Sequence, residues 1–92
     1  YLPAKEPARS QAIRALEATA RKQQATQLFI ETPYRAAALL DALANGLQAE
    51  TRVSVGVDLT LPGQTVRTRR AADWRGQADT VRDRLAVFGL AP

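Results

Sequence analysis

The sequence predicts a small α+β (α/β) domain: a mixed sheet of about four strands with helices packed on it. Three observations carry this. Apolar residues recur at three- and four-residue spacing in two stretches, 10–22 and 34–45. Strict alternation marks 52–58 as a strand. A Pro62-Gly63 turn joins that strand to a second extended run, so one pair is antiparallel and a doubly wound parallel sheet is disfavoured.

The elements follow in order. Residues 1–7 form an opening segment in which Pro3 and Pro7 limit regular structure. Pro7 suits the first turn of a helix, and Ser10 is a candidate N-cap. Ile13, Leu16 and Ala20 line one face of the helix that follows, with Arg14, Glu17 and Arg21 between them. Arg21 and Lys22 close it against the negative end of its dipole. Gln27-Leu28-Phe29-Ile30 has no helical period and reads as a buried strand, stopped by Thr32-Pro33. In the second helix, Ala38, Leu39, Ala42 and Leu43 form the expected buried stripe, with a left-handed cap at Asn45-Gly46. Val53, Val55 and Val57 share one face of the next strand. Residues 65–69 return as its hairpin partner through the turn at 61–64, with Arg67 and Arg69 facing one way, as on a wet face or an edge. A short helix over 71–77 holds Trp74 as core, and 85–90 is a fourth strand.

Composition excludes several classes of function. There is no cysteine and no histidine among the 92 residues, so disulfides, thiolate chemistry, a zinc site and a Ser-His-Asp triad are ruled out within this chain. No apolar run reaches the roughly 18 residues of a membrane span. A cytoplasmic location is expected. Thirteen basic against nine acidic side chains give a net charge of +4, compatible with a nucleic-acid partner without establishing one. The chain starts at Tyr1 and contains no methionine, which reads as a piece of a longer protein.

No GxGxxG or GxxxxGK(S/T) phosphate loop is present. Gly56 sits mid-strand, where glycine marks either tight packing against a helix or close approach of a ligand or partner backbone. Glu31 and Asp58 both end predicted strands, where sites of open sheets gather. They either face one cleft or form ion pairs, Glu31 with Arg35 and Asp58 with Arg67. Within Glu31-Thr32-Pro33-Tyr34-Arg35, Tyr34 offers a stacking face and Arg35 a carboxylate or phosphate contact; the alternative is a turn in which Tyr34 caps the core. Arg67, Arg69 and Arg70 form a candidate phosphate-contacting cluster.

The run Gln27-Leu28-Phe29-Ile30-Glu31-Thr32-Pro33-Tyr34-Arg35 resembles a segment of the tetrapyrrole methylase superfamily, a strand followed by Glu-(Thr/Ala)-Pro-(Tyr/His)-Arg. These are S-adenosylmethionine-dependent methyltransferases, and the ribosomal RNA small subunit type is the nearest in pattern. Tyr1-Leu2-Pro3 is similar to the motif that opens the second half of that enzyme. Val55-Gly56-Val57-Asp58-Leu59-Thr60 is similar to its Val-Ala-Arg-Glu-Leu-Thr strand and turn. Thr68-Arg69-Arg70-Ala71-Ala72-Asp73-Trp74 resembles the stretch that starts a helix, and Leu85-Ala86-Val87-Phe88 the closing strand. The likeness runs in order along essentially the whole chain.

The resemblance implies that 1–92 is a C-terminal domain whose N-terminal partner lies outside this sequence. It implies an S-adenosylmethionine cleft between the two, reached by Thr32, Pro33, Ser54, Leu85 and Ala86. It places substrate near Tyr34, Arg35 and Asp58, and implies a homodimer acting on RNA. Departures are specific: Thr32 replaces an alanine or methionine, Val57-Asp58 an Arg-Glu pair, and Leu85 a proline. They imply a related branch with its own substrate. Two other readings remain, a non-enzymatic nucleic-acid-binding module and a dimerisation module.

Overall fold

A computed structural model describes residues 2, 3, 5–58, 62 and 65–92. Its elements are α1 (Ala8–Gln23), β1 (Gln27–Glu31), α2 (Pro33–Gly46), β2 (Arg52–Val57), β3 (Thr65–Arg70), two 3-10 turns (Ala71–Trp74 and Ala78–Val81) and β4 (Ala86–Ala91). The α+β expectation holds. The parallel component of the expected mixed sheet does not: the order is β1-β4-β2-β3, and all three pairs are antiparallel. Strand period fixes which face a residue takes but carries no partner information, and β4 inserts between β1 and β2. Of the hairpin turn only Pro62 is described; Leu59, Thr60, Leu61, Gly63 and Gln64, like Tyr1 of the opening motif, lie outside the described residues.

All helices among the described residues pack on one face. Val53, Val55 and Val57 from β2 meet Ala86, Phe88 and Leu90 from β4, and this surface receives Ile13 of α1 and Leu39, Leu40 and Leu43 of α2. Phe29 stacks on Phe88 with ring centres 5.6 Å apart and planes 11° apart. Trp74 is buried as expected, its indole N–H donating to the Val53 carbonyl at 2.9 Å.

Several local expectations are corrected. Ser10 is not an N-cap: α1 begins at Ala8, and the Glu6 carboxylate accepts from the Ser10 amide at 2.8 Å and its hydroxyl at 2.6 Å. Ala38 is exposed, whereas Ala36, Leu40 and Ala44 are buried, because the stripe of α2 is rotated toward the 3-10 turns. That helix ends at Leu47 in an extended conformation, so no left-handed cap forms at Asn45-Gly46. The helix expected over 71–77 is a single 3-10 turn, Ala71–Trp74, and a second one, Ala78–Val81, follows beyond it. Strand β1 lies at an edge instead of the interior, and Leu28 is 74% exposed on its outer side.

Glu17 is the least expected core residue. Its carboxylate accepts from the Thr51 hydroxyl at 2.6 Å and the Gln48 amide at 2.9 Å, and Arg21 donates to Thr51 at 2.9 Å. A buried charge is tolerable because each partner is a donor. The cluster ties α1 to the segment between α2 and β2.

Candidate functional site

Antiparallel register brings three strand ends to one rim. Glu31 of β1 pairs with Ala86 of β4, and Ala86 pairs with Val57 of β2. Thr32 and Asp58 follow directly, and the Asp58 amide donates to the Leu85 carbonyl at 3.3 Å. Thr32, Pro33, Leu85, Ala86 and Asp58, far apart in sequence, therefore sit together. Tyr34 and Arg35 open α2 beside them.

Ser54 is not brought to this rim. It lies three residues up β2, roughly 10 Å away at strand rise. There its hydroxyl is 2.7 Å from that of Thr68 in the row Leu28–Gly89–Ser54–Thr68.

Glu31 and Arg35 form the ion pair that was one of the two readings, at 3.1 Å. The Glu31 carboxylate also accepts from the Thr32 amide at 2.7 Å. It is buried and turned inward, so its role is to set the strand-to-helix corner. Asp58 pairs with Arg84 at 2.9 Å, not with Arg67. Arg84 precedes β4 and is the rim residue that sequence reasoning missed; only the β2–β4 register reveals it. Asp58 itself holds a left-handed backbone, φ 54°. The Arg35 guanidinium lies over the Tyr34 ring at 5.1 Å, and Tyr34 is 76% exposed. The two thus present a flat aromatic-cation pair to the outside.

Behind the rim is the sheet face opposite the helices. Strand parity places Leu28, Ile30, Val87, Gly56 and Val66 there, with Ile30–Val87–Gly56–Val66 in one row. Leu28, Ile30, Val66 and the rim's Leu85 are all exposed. Gly56 therefore does not serve packing against a helix, one of its two readings. Buried itself, it sits in the middle of an apolar surface that no helix among the described residues covers.

Arg67, Arg69 and Arg70 do not act as one cluster. Arg70 points away from the other two and is held by Asp73 at 3.0 Å and Glu50 at 2.9 Å. The Arg70 guanidinium holds the Asp73 carboxyl below its ordinary range, through its hydrogen bond first and charge second, and the charge of Arg69 adds to this.

No protein-family model matches the sequence, and no curated protein does. Among solved structures, the crystal structure of the methyltransferase CobJ is similar, with a TM-score of 0.52 and 15% identity. The match covers 88% of this chain and 35% of that one, so this chain spans about a third of that methyltransferase. At such identity the likeness is one of fold.

Proposed function

We propose that residues 1–92 are the C-terminal domain of an S-adenosylmethionine-dependent methyltransferase and form one wall of its cofactor cleft. The observation that carries this is the rim: Thr32, Pro33, Leu85 and Ala86 converge beside an uncovered apolar sheet face, in a fold similar to part of a methyltransferase. The other wall comes from an N-terminal domain of the same polypeptide, closing over the exposed Leu28, Ile30 and Leu85. A second copy of the protein completes a homodimer.

The rim fits an adenosyl group in part. Leu85 and Ile30 offer apolar surface to a purine face. The Thr32 amide is already engaged by Glu31, and the Thr32 carbonyl accepts from the Arg35 amide at 3.0 Å with a second lone pair to spare. This wall supplies shape and an acceptor, while donors to the cofactor come from the opposite wall. The bound cofactor supplies the methyl group. Methyl transfer depends on alignment of nucleophile, methyl and sulfur more than on a dedicated acid or base, which suits a chain without histidine.

RNA is the acceptor class we infer. Tyr34 with Arg35 across its ring supports this, because unstacked bases are held on aromatic and guanidinium planes. The test uses the full-length protein with labelled S-adenosylmethionine and small-subunit ribosomal particles from cells lacking the enzyme. Label in RNA is expected, and Thr32→Trp should weaken cofactor binding by at least about tenfold, roughly 1.4 kcal/mol. Cofactor binding without RNA labelling moves the acceptor elsewhere. Absence of cofactor binding overturns the methyltransferase reading itself.

A further inference from the structure

The helix layer stops at β2, so β3 overhangs it. Beneath the overhang is a cavity of about 310 Å³ on the helix side of the sheet, at the small end of ligand pockets. Val55, Val57 and Val81 supply its apolar floor, and Arg67, Arg69 and Arg84 stand around it.

The charge of this cavity can be counted. Its ionisable lining consists of those three arginines and Asp79. Arg84 is neutralised by Asp58 at 2.9 Å, and Asp79 by Arg82 at 2.7 Å. No ion pair among the described residues involves Arg67 or Arg69. Two positive charges remain without a direct ion pair, Arg69 interacting with the Asp73 carboxylate only through space. They sit two residues apart on one strand face, about 7 Å at strand rise. Arg69 is held in place by the Trp74 ring, 5.2 Å from its guanidinium carbon, with its N–H edge left to point elsewhere. Trp74 is itself fixed by its bond to Val53. One of the two forks is therefore positioned before any ligand arrives.

We infer that this cavity binds a small organic phosphate, with the phosphoryl group between Arg67 and Arg69 and the apolar body on the valine floor. A phosphomonoester carries a charge of about −1.5 to −2 at neutral pH, which matches the two free arginines. Guanidinium forks engage phosphate oxygens in pairs. A monocarboxylate would leave one arginine uncompensated, and inorganic phosphate would leave the floor uncovered. The site lies on the opposite side of the sheet from the apolar face described above and does not depend on the methyl-transfer reading.

Calorimetric titration of the full-length protein tests this, with S-adenosylmethionine in excess so that its own site is filled. The probes are phenyl phosphate, inorganic phosphate, benzoate and a single-stranded RNA oligomer. Phenyl phosphate should bind, and benzoate at least about tenfold more weakly, since a charged hydrogen-bond partner is lost. Arg67→Gln and Arg69→Gln should each weaken phenyl phosphate about tenfold. Arg67→Lys, which keeps the charge but loses the fork, should fall between. Arg14→Gln, on the exposed side of α1 and away from the cavity, should leave affinity unchanged. Circular dichroism of each variant checks its fold. Failure of phenyl phosphate to bind at millimolar concentration, equal binding by benzoate, or indifference to both glutamine variants would overturn the proposal. So would RNA binding through Arg67 and Arg69 without phenyl phosphate binding, which would make the overhang a backbone-phosphate strip.

Discussion

One cross-strand row of the sheet runs Phe29, Phe88, Val55, Arg67. All four residues share a face, yet the row begins with two stacked aromatic rings and ends with an arginine. On either side of β2, strand β4 presents Ala86, Phe88 and Leu90 where β3 presents Thr65, Arg67 and Arg69. The pairing with β2 is antiparallel in both cases. What differs is the cover: α1 and α2 lie under β4, while β3 reaches past them. The layer opposite decides whether a strand is core or wall, and the freed strand becomes available for chemistry.

The strongest way to break this comparison is to truncate both ends of that row. Phe88→Ala should cost about 3–5 kcal/mol, a large share of the roughly 5–14 kcal/mol available to a domain of this size. Arg67→Ala should change stability by no more than about 0.5 kcal/mol. Urea unfolding of the two variants measures both, and equal losses would refute the division into covered and overhanging strands.

A second variant probes the covered side at its polar point. Glu17→Ala leaves the Thr51 hydroxyl and Gln48 amide without their acceptor and should cost about 1–3 kcal/mol by the same measurement. A neutral outcome would mean that water replaces the carboxylate and that the α1 anchor is not buried in solution.

Gly89→Ala sharpens the contrast within β4 alone, since Gly89 faces the uncovered side. A Cβ there would lie 3.1 Å from a Leu28 methyl and 3.3 Å from a Thr26 methyl. Both side chains are exposed and free to turn, so the change in stability should stay within about 0.5 kcal/mol. A loss like that of Phe88→Ala would show that something packs on this face.

The smallest effect belongs to Asp73, beyond the end of β3. Its carboxyl is held below the ordinary value by Arg70, so the folded form binds its proton less readily than the unfolded chain does. The resulting stabilisation is present above the unfolded value near pH 3.9 and is lost as pH falls through the folded value. A side-chain NMR titration should place the Asp73 midpoint below that of an unfolded peptide, and Arg70→Gln should raise it, with Arg69 still holding it part of the way down.

Much of this division was legible in the residues. Alternation placed Val53, Val55 and Val57 on one face, and parity placed Arg67 with Arg69 on an edge strand. Proline at 33 set the start of α2 to within a residue. What escaped shares one cause, dependence on a partner distant in sequence. Glu17 looked like surface until Gln48 and Thr51 came near it. Leu28 and Ile30 looked buried because an apolar run does not say whether a second layer covers it. The rim was readable at Thr32 and Asp58, but Arg84 enters only through the register of β4. The cavity under β3 needs Val81 and Arg84, supplied by the segment between Trp74 and β4.

That segment leads into the strand that holds the sheet together. β4 is last in order but lies between β1 and β2. During synthesis the β2–β3 hairpin can form as soon as Arg70 leaves the ribosome, whereas the one partner of β1 among the described residues arrives only when 86–91 emerge. For that interval Leu28, Phe29 and Ile30 form an unpaired apolar strand, the kind of edge that recruits other nascent chains. Pairing of β4 with β1 and β2 closes the sheet in one step, so the rim at Thr32 and Leu85 is assembled only after residues 86–91 have been made.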